Sequence, residues 1–174
     1  MKIREIRFIR VQKVLRVMGD YNRSTKEIAF GEIPANVIKS VQTYIEKHNL
    51  GDILANPVMC IVSTSEKIKK GLFGGGPGPK LLIQTAVLTD RWLILADNVD
   101  QNALYIKSMQ LRNITVEDYE KSSFYKMIPD TGMNVNGQFT DASELGSIFL
   151  PLGKDDIGEK FKSALIEMVQ KAKA

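Results

Sequence analysis

A chain of 174 residues, 44% apolar and 25% charged, can bury a core without metal or disulfides. Its one cysteine, Cys60, excludes an intrachain disulfide, and its one histidine, His48, excludes a histidine-rich metal site. The net charge of +4 is concentrated in residues 1–19, where Lys2, Arg4, Arg7, Arg10, Lys13 and Arg16 face only Glu5; that arm carries +5 and the remainder −1, so the body is not a basic nucleic-acid-binding surface.

Within the basic arm, Phe8, Val11, Leu15 and Met18 recur at three-to-four spacing, the pattern of one helical face. Such a helix suits docking on the body or on another subunit, or lying on an anionic surface. A short apolar run followed by a small-residue cleavage site is missing, so no secretory signal is expected. Phe8 and Tyr21 are too few and too badly spaced for a base-stacking platform. Residues 20–33 read as turns and short extended pieces. Pro34 then opens a helix over 34–48, with Val37, Ile38, Val41, Tyr44 and Ile45 on its apolar face and Asn49 to Gly51 ending it. His48 sits in the last turn as a cap or surface group.

After Pro57 the pattern changes to strands, expected at 58–69, 81–89, 91–97, 103–109, 112–120, 123–128, 131–135 and 145–151. Cys60 lies in the apolar run Pro57 to Val62, which makes it a buried structural thiol. Val87, Trp92, Ile94, Leu104 and Ile106 supply an inner face by alternation. Thr89-Asp90 is a tight turn, with Arg91 a solvated charge or local pair beside it. Asp97 to Asn102 is a polar loop. Glu117, Asp118 and Glu120 read as a solvated strand end. The last element is a helix capped by Asp155 or Asp156, with Ile157, Phe161, Leu165, Met168 and Val169 forming a stripe that needs a sheet to cover.

Between the first two strands runs Lys69-Lys70-Gly71-Leu72-Phe73-Gly74-Gly75-Gly76-Pro77-Gly78-Pro79-Lys80. Glycine and proline make it a loop. It is not a phosphate-binding loop: two prolines remove amide donors, and Leu81 follows Lys80 where a Ser or Thr would hold magnesium. Calcium-loop spacing and a Ser-His-Asp grouping are missing too, and no catalytic, cofactor or metal residue is assigned. Leu72 and Phe73 are apolar where solvent should favour polar groups. They either cover the chain's own core or meet a partner.

A run of antiparallel strands closed by one amphipathic helix suggests a small barrel or orthogonal sandwich. The segment Ala86-Val87-Leu88-Thr89-Asp90-Arg91-Trp92-Leu93-Ile94-Leu95 is similar to the "apolar, Leu-Thr, polar, Arg, apolar" stretch of pleckstrin-homology-like domains of the bacterial or GRAM-related kind. Met109-Gln110-Leu111-Arg112-Asn113-Ile114-Thr115-Val116 resembles their next segment, and the terminal helix falls where they have a capping helix. The resemblance covers residues 58–170. It implies a mainly β fold with α: an antiparallel barrel or orthogonal sandwich over 57–174, capped by a C-terminal helix, with a basic, mostly helical extension over 1–50. In that family basic residues around the first strand loop commonly meet phosphoinositide head groups, which by resemblance points to Lys67, Lys69, Lys70 and Lys80. The chain departs from the family's basic motif, since Leu81 and Leu82 follow Lys80 with no arginine two positions on.

The functional expectation is a cytoplasmic, non-enzymatic module without cofactor that contacts another protein or a second copy of itself. Its candidate contact residues are Lys67, Lys69, Lys70, Leu72, Phe73 and Lys80. The alternative is peripheral binding of an anionic membrane surface by the same loop, with Leu72 and Phe73 inserted and the lysines on head groups.

Overall fold

The computed structural model describes residues 21–68 and 78–174. Strand β1 (Tyr21–Glu27) is followed by helix α1 (Ala35–His48), then β2 (Pro57–Lys67), β3 (Leu81–Thr89), β4 (Trp92–Val99) and β5 (Ala103–Gln110). Next come β6 (Ile114–Asp118), β7 (Gly132–Gln138), β8 (Leu145–Pro151) and helix α2 (Asp156–Lys173). Strands β1 to β5 form one antiparallel sheet in chain order, and β6 to β8 a second.

The expected barrel is corrected by this arrangement. The fold is mixed α and β, with two separate antiparallel sheets, neither closed on itself, and a helix toward each end of the chain. Alternation along the strands explains why two layers flank the larger sheet. Val87, Ile94 and Ala96 pack with Val37, Val41 and Ile33 beneath α1, joined by the half-buried Trp92, Leu104 and Ile106. Ala86, Leu88, Leu93 and Leu95 point the other way, into a core with Met133, Val135 and Leu150 of the second sheet and Phe161, Leu165 and Val169 of α2. The alternating set expected to line an inner face therefore does share a face, but that face lies under α1. Strands covered on both sides lose their polar alternation, which is why β3 and β4 read as near-continuous apolar runs.

Helix α1 begins after Pro34 and ends where Asn49 takes the left-handed conformation at φ 51°, its N–H bonded back to Glu46 and Ile45 carbonyls. Helix α2 is capped by Asp155, whose Oδ1 accepts the Gly158 N–H at 2.8 Å. The other oxygen, Oδ2, accepts the Thr25 N–H of β1 at 2.7 Å. One carboxylate thus starts a helix and covers part of a sheet edge. Glycine is required at 158, since a Cβ there would stand 2.2 Å from the Gly153 carbonyl oxygen.

Three local expectations change. Residues 20–33 contain β1, a full strand paired with β2 from Tyr21↔Lys67 to Glu27↔Ile61. The strand expected over 112–120 shortens to Ile114–Asp118 between two short 3₁₀ turns. The strand expected over 123–128 is a run of turns, in which the Met127 and Ile128 N–H groups both bond the Phe124 carbonyl, at 3.0 and 2.9 Å.

Cys60 is buried under α1. Burial, and next the charge of Glu27, push its thiol above the ordinary cysteine value. Thiol-reagent labelling of the native chain at pH 8 is expected to run more than about tenfold slower than labelling in denaturant. Equal rates would place Cys60 at the surface.

Candidate interaction site

The loop between β2 and β3 stands on a hydrogen-bonded base. The Lys67 N–H donates to the Lys80 carbonyl at 2.9 Å. Asp100, in the β4–β5 turn, is left-handed at φ 49°, a conformation that short polar side chains tolerate. Its Oδ1 accepts the N–H groups of Lys80 and Leu81 at 2.8 and 2.9 Å. Its own N–H returns to the Leu81 carbonyl at 2.9 Å. The Tyr21 hydroxyl donates to the Pro79 carbonyl at 2.8 Å. Strands β1, β2 and β3 and the β4–β5 turn are thereby fastened together at one end of the larger sheet.

Of the sequence-derived site residues, Lys67 and Lys80 lie at this base. Lys69, Lys70, Leu72 and Phe73 lie outside the described residues, as does the basic stretch 1–19. Lys80 is exposed, and so is Ile68, the next residue after β2. Lys67 takes part in an interaction within the chain, and no described helix is long and apolar enough to cross a membrane. Sequence reading missed Tyr21 and Asp100. The signal for Asp100 was present, an Asp in a polar turn, whereas Tyr21 is brought to the loop only by the pairing of β1.

Beneath the loop end, the space between the sheets is polar. Register places Thr25, Ser63, Gln84 and Asp97 in one row across β1 to β4, all buried and facing the second sheet. Thr25 Oγ1 accepts the Gly153 N–H at 2.7 Å, and Ser63 Oγ donates to the Pro151 carbonyl at 2.6 Å. Gln84 Nε2 donates to Asp97 Oδ1 at 2.6 Å, and Lys107 Nζ reaches Asp97 Oδ2 at 2.8 Å. Nearer the loop, Arg23 holds Asp130 through both oxygens, Nε to Oδ1 at 2.7 Å and Nη2 to Oδ2 at 2.8 Å. Arg23 Nη1 also donates to Ser65 Oγ. The guanidinium stacks 5.1 Å from the Tyr21 ring centre and 5.4 Å from that of Phe149. This pair is almost fully enclosed, with side-chain exposures of 5% and 3%. The forked pairing and the two flanking rings suit this group to holding the two sheets together.

A second ionic group sits where α2 meets β6. The Lys162 amine is enclosed and lies 2.9 Å from Glu159, 3.5 Å from Asp118 and 3.8 Å from Glu120. Burial pulls its pKa down, but the Glu159 hydrogen bond and the charges of Asp118, Glu159 and Glu120 outweigh that and leave it above the ordinary lysine value. Its stabilising contribution is therefore present at neutral pH and fades only as pH rises through the raised value. Of the acidic cluster expected to be a solvated strand end, Glu117 is exposed, whereas Asp118 and Glu120 receive this lysine and Glu120 also receives Lys154.

At the opposite end of the larger sheet, a cleft of about 660 Å³ lies between residues 50–53, the β3–β4 turn, the end of β5 and the last turn of α2. Its cations are already engaged: Lys171 with Glu167 at 2.6 Å, Arg112 with the Gln110 amide oxygen at 2.9 Å, and Arg91 with Asp90 at 3.7 Å. Asp52 and Asp90 balance two of the three positive charges, so the cleft has little preference for an anion. No group of His, Cys, Asp and Glu suited to a metal ion occurs among the described residues.

Comparison of the chain with family models, with curated proteins and with solved structures gives no match.

Proposed function

We propose that this chain is a non-enzymatic interaction module of pleckstrin-homology-like build, which works by protein contact and self-association through the loop between β2 and β3. Element order from residue 57 onward supports the build: β2 to β5 of the five-stranded sheet, three more strands (β6 to β8), then one amphipathic helix packed on both. The observation that carries the function is the fastened loop base. Asp100, Tyr21 and the Lys67–Lys80 bond fix both ends of a segment whose sequence places Leu72 and Phe73 between lysines. A fixed base lowers the entropy that an apolar contact must overcome on binding. Exposed Ile68 beside that base extends the apolar character.

Solution mass measured over a concentration series tests this reading. The wild-type chain is expected to gain mass with concentration, and the Leu72→Ser/Phe73→Ser variant to weaken association by about tenfold or more. A wild-type chain that stays monomeric throughout, or a double variant that associates unchanged, overturns it.

A further inference from the structure

The two edges of the five-stranded sheet are treated differently. On β1 the outward N–H of Thr25 is taken by the Asp155 carboxylate. On β5 the described residues cover only the far end, where the Thr140 N–H bonds the Ser108 carbonyl at 3.0 Å. That bond also fixes orientation. Since the Ser108 carbonyl points away from β4 and pairing along β4–β5 runs without a bulge, Ile106 and Leu104 also direct their N–H and C=O groups outward. Neither makes a further backbone bond among the described residues. Between them, Tyr105 is 57% exposed. The usual protections of an edge are missing from residues 103–107: there is no proline or bulge, and the one lysine, Lys107, is tied inward to Asp97.

We infer that β5 pairs with β5 of a second copy of this chain, antiparallel about a two-fold axis at Tyr105. This register sets Leu104 opposite Ile106 and satisfies both backbone bonds of each such pair. It sets Tyr105 against Tyr105 of the other copy, an aromatic cross-strand pair, and Lys107 against the neutral Ala103, so no like charges oppose. Pairing stops naturally at Ser108, whose carbonyl Thr140 already occupies. A two-fold interface needs a strand that can face itself without clash of charge, and Ala103-Leu104-Tyr105-Ile106-Lys107 meets that need with an aliphatic pair on either side of the axis. The inference rests on the self-association part of the proposed function but uses a different surface from the loop.

A cysteine scan separates the two. In the paired register the Cα atoms at 105 stand about 4.5 Å apart, within disulfide reach. Tyr105→Cys is expected to cross-link into dimers under mild oxidation, while Leu145→Cys, on a more exposed residue of the second sheet, is not. Buried Cys60 does not compete. Tyr105→Glu sets like charges together and is expected to weaken dimerisation by about tenfold or more, with Tyr105→Phe close to wild type. Because Tyr105 is exposed, the melting temperature of the dilute monomer should not move. A Tyr105→Cys chain that stays monomeric, or one that cross-links no faster than Leu145→Cys, overturns the inference. Cross-linking that persists in the Leu72→Ser/Phe73→Ser background upholds the edge contact and leaves the loop reading to its own mass measurement. Association lost in that background, together with failure of the Tyr105→Cys cross-link, keeps the loop and removes the edge.

Discussion

Arg23→Met or Asp130→Asn is expected to lower the unfolding free energy by about 3–5 kcal/mol, because each leaves a formerly paired group enclosed without its partner. With a chain of this size, that corresponds to a fall in melting temperature of about 6–20 °C. The two side chains are 5% and 3% exposed, so water cannot readily replace the lost partner. The pair also joins β1 of the first sheet to the residue leading into β7 of the second, 107 positions away. The double variant Arg23→Met/Asp130→Leu is expected to recover much of the loss, since an apolar pair of similar volume has no charge to desolvate. Denaturant midpoints at constant m-value measure all three. A single-variant loss below about 1 kcal/mol would mean that the pair behaves as a hydrated surface bridge.

Phe161→Ala should be similarly costly, at about 3–5 kcal/mol. Phe161 is fully buried, and it packs where α2 covers both sheets. Emptying its site leaves a hole where α2 meets both sheets, and residues held in two sheets cannot both move to fill it. Ile166→Ala, on the partly exposed side of the same helix, is expected to shift stability by no more than about 0.5 kcal/mol. Equal effects at the two positions would contradict the assignment of the buried face.

Together these substitutions test how the candidate site is held up. The loop base is a local construction of Asp100, Tyr21, Lys67 and Lys80, but Tyr21 belongs to β1, and β1 is held by Arg23 and Thr25. Loosening the Arg23–Asp130 pair therefore loosens the support of the loop.

Both helices were legible in the chain. Val37, Val41 and Tyr44, and again Phe161, Leu165 and Val169, recur at the spacing of one helical face, and each of these residues is buried. Strands β3, β4 and β5 were also legible, since apolar β-formers bounded by Thr89-Asp90 and the polar stretch from Asp97 to Asn102 leave few alternatives. Segment 123–128 misled because Phe124, Tyr125, Met127 and Ile128 have strand-like composition, while the backbone satisfies itself in turns. β1 was invisible for the opposite reason. Tyr-Asn-Arg-Ser-Thr-Lys-Glu has no apolar alternation, and its strand identity comes from β2, Asp130, Gly153 and Asp155, all distant in sequence.

By itself, then, the sequence determined the periodic elements and the buried thiol, because spacing and backbone chemistry act over a few residues. Only the tertiary structure decided that two open sheets replace a barrel, that α1 covers one face, that a polar row underlies the loop, and that β5 is left bare over residues 103–107 by the other described residues. Those outcomes depend on which strand ends meet and which donors are left over, and no local pattern carries that information.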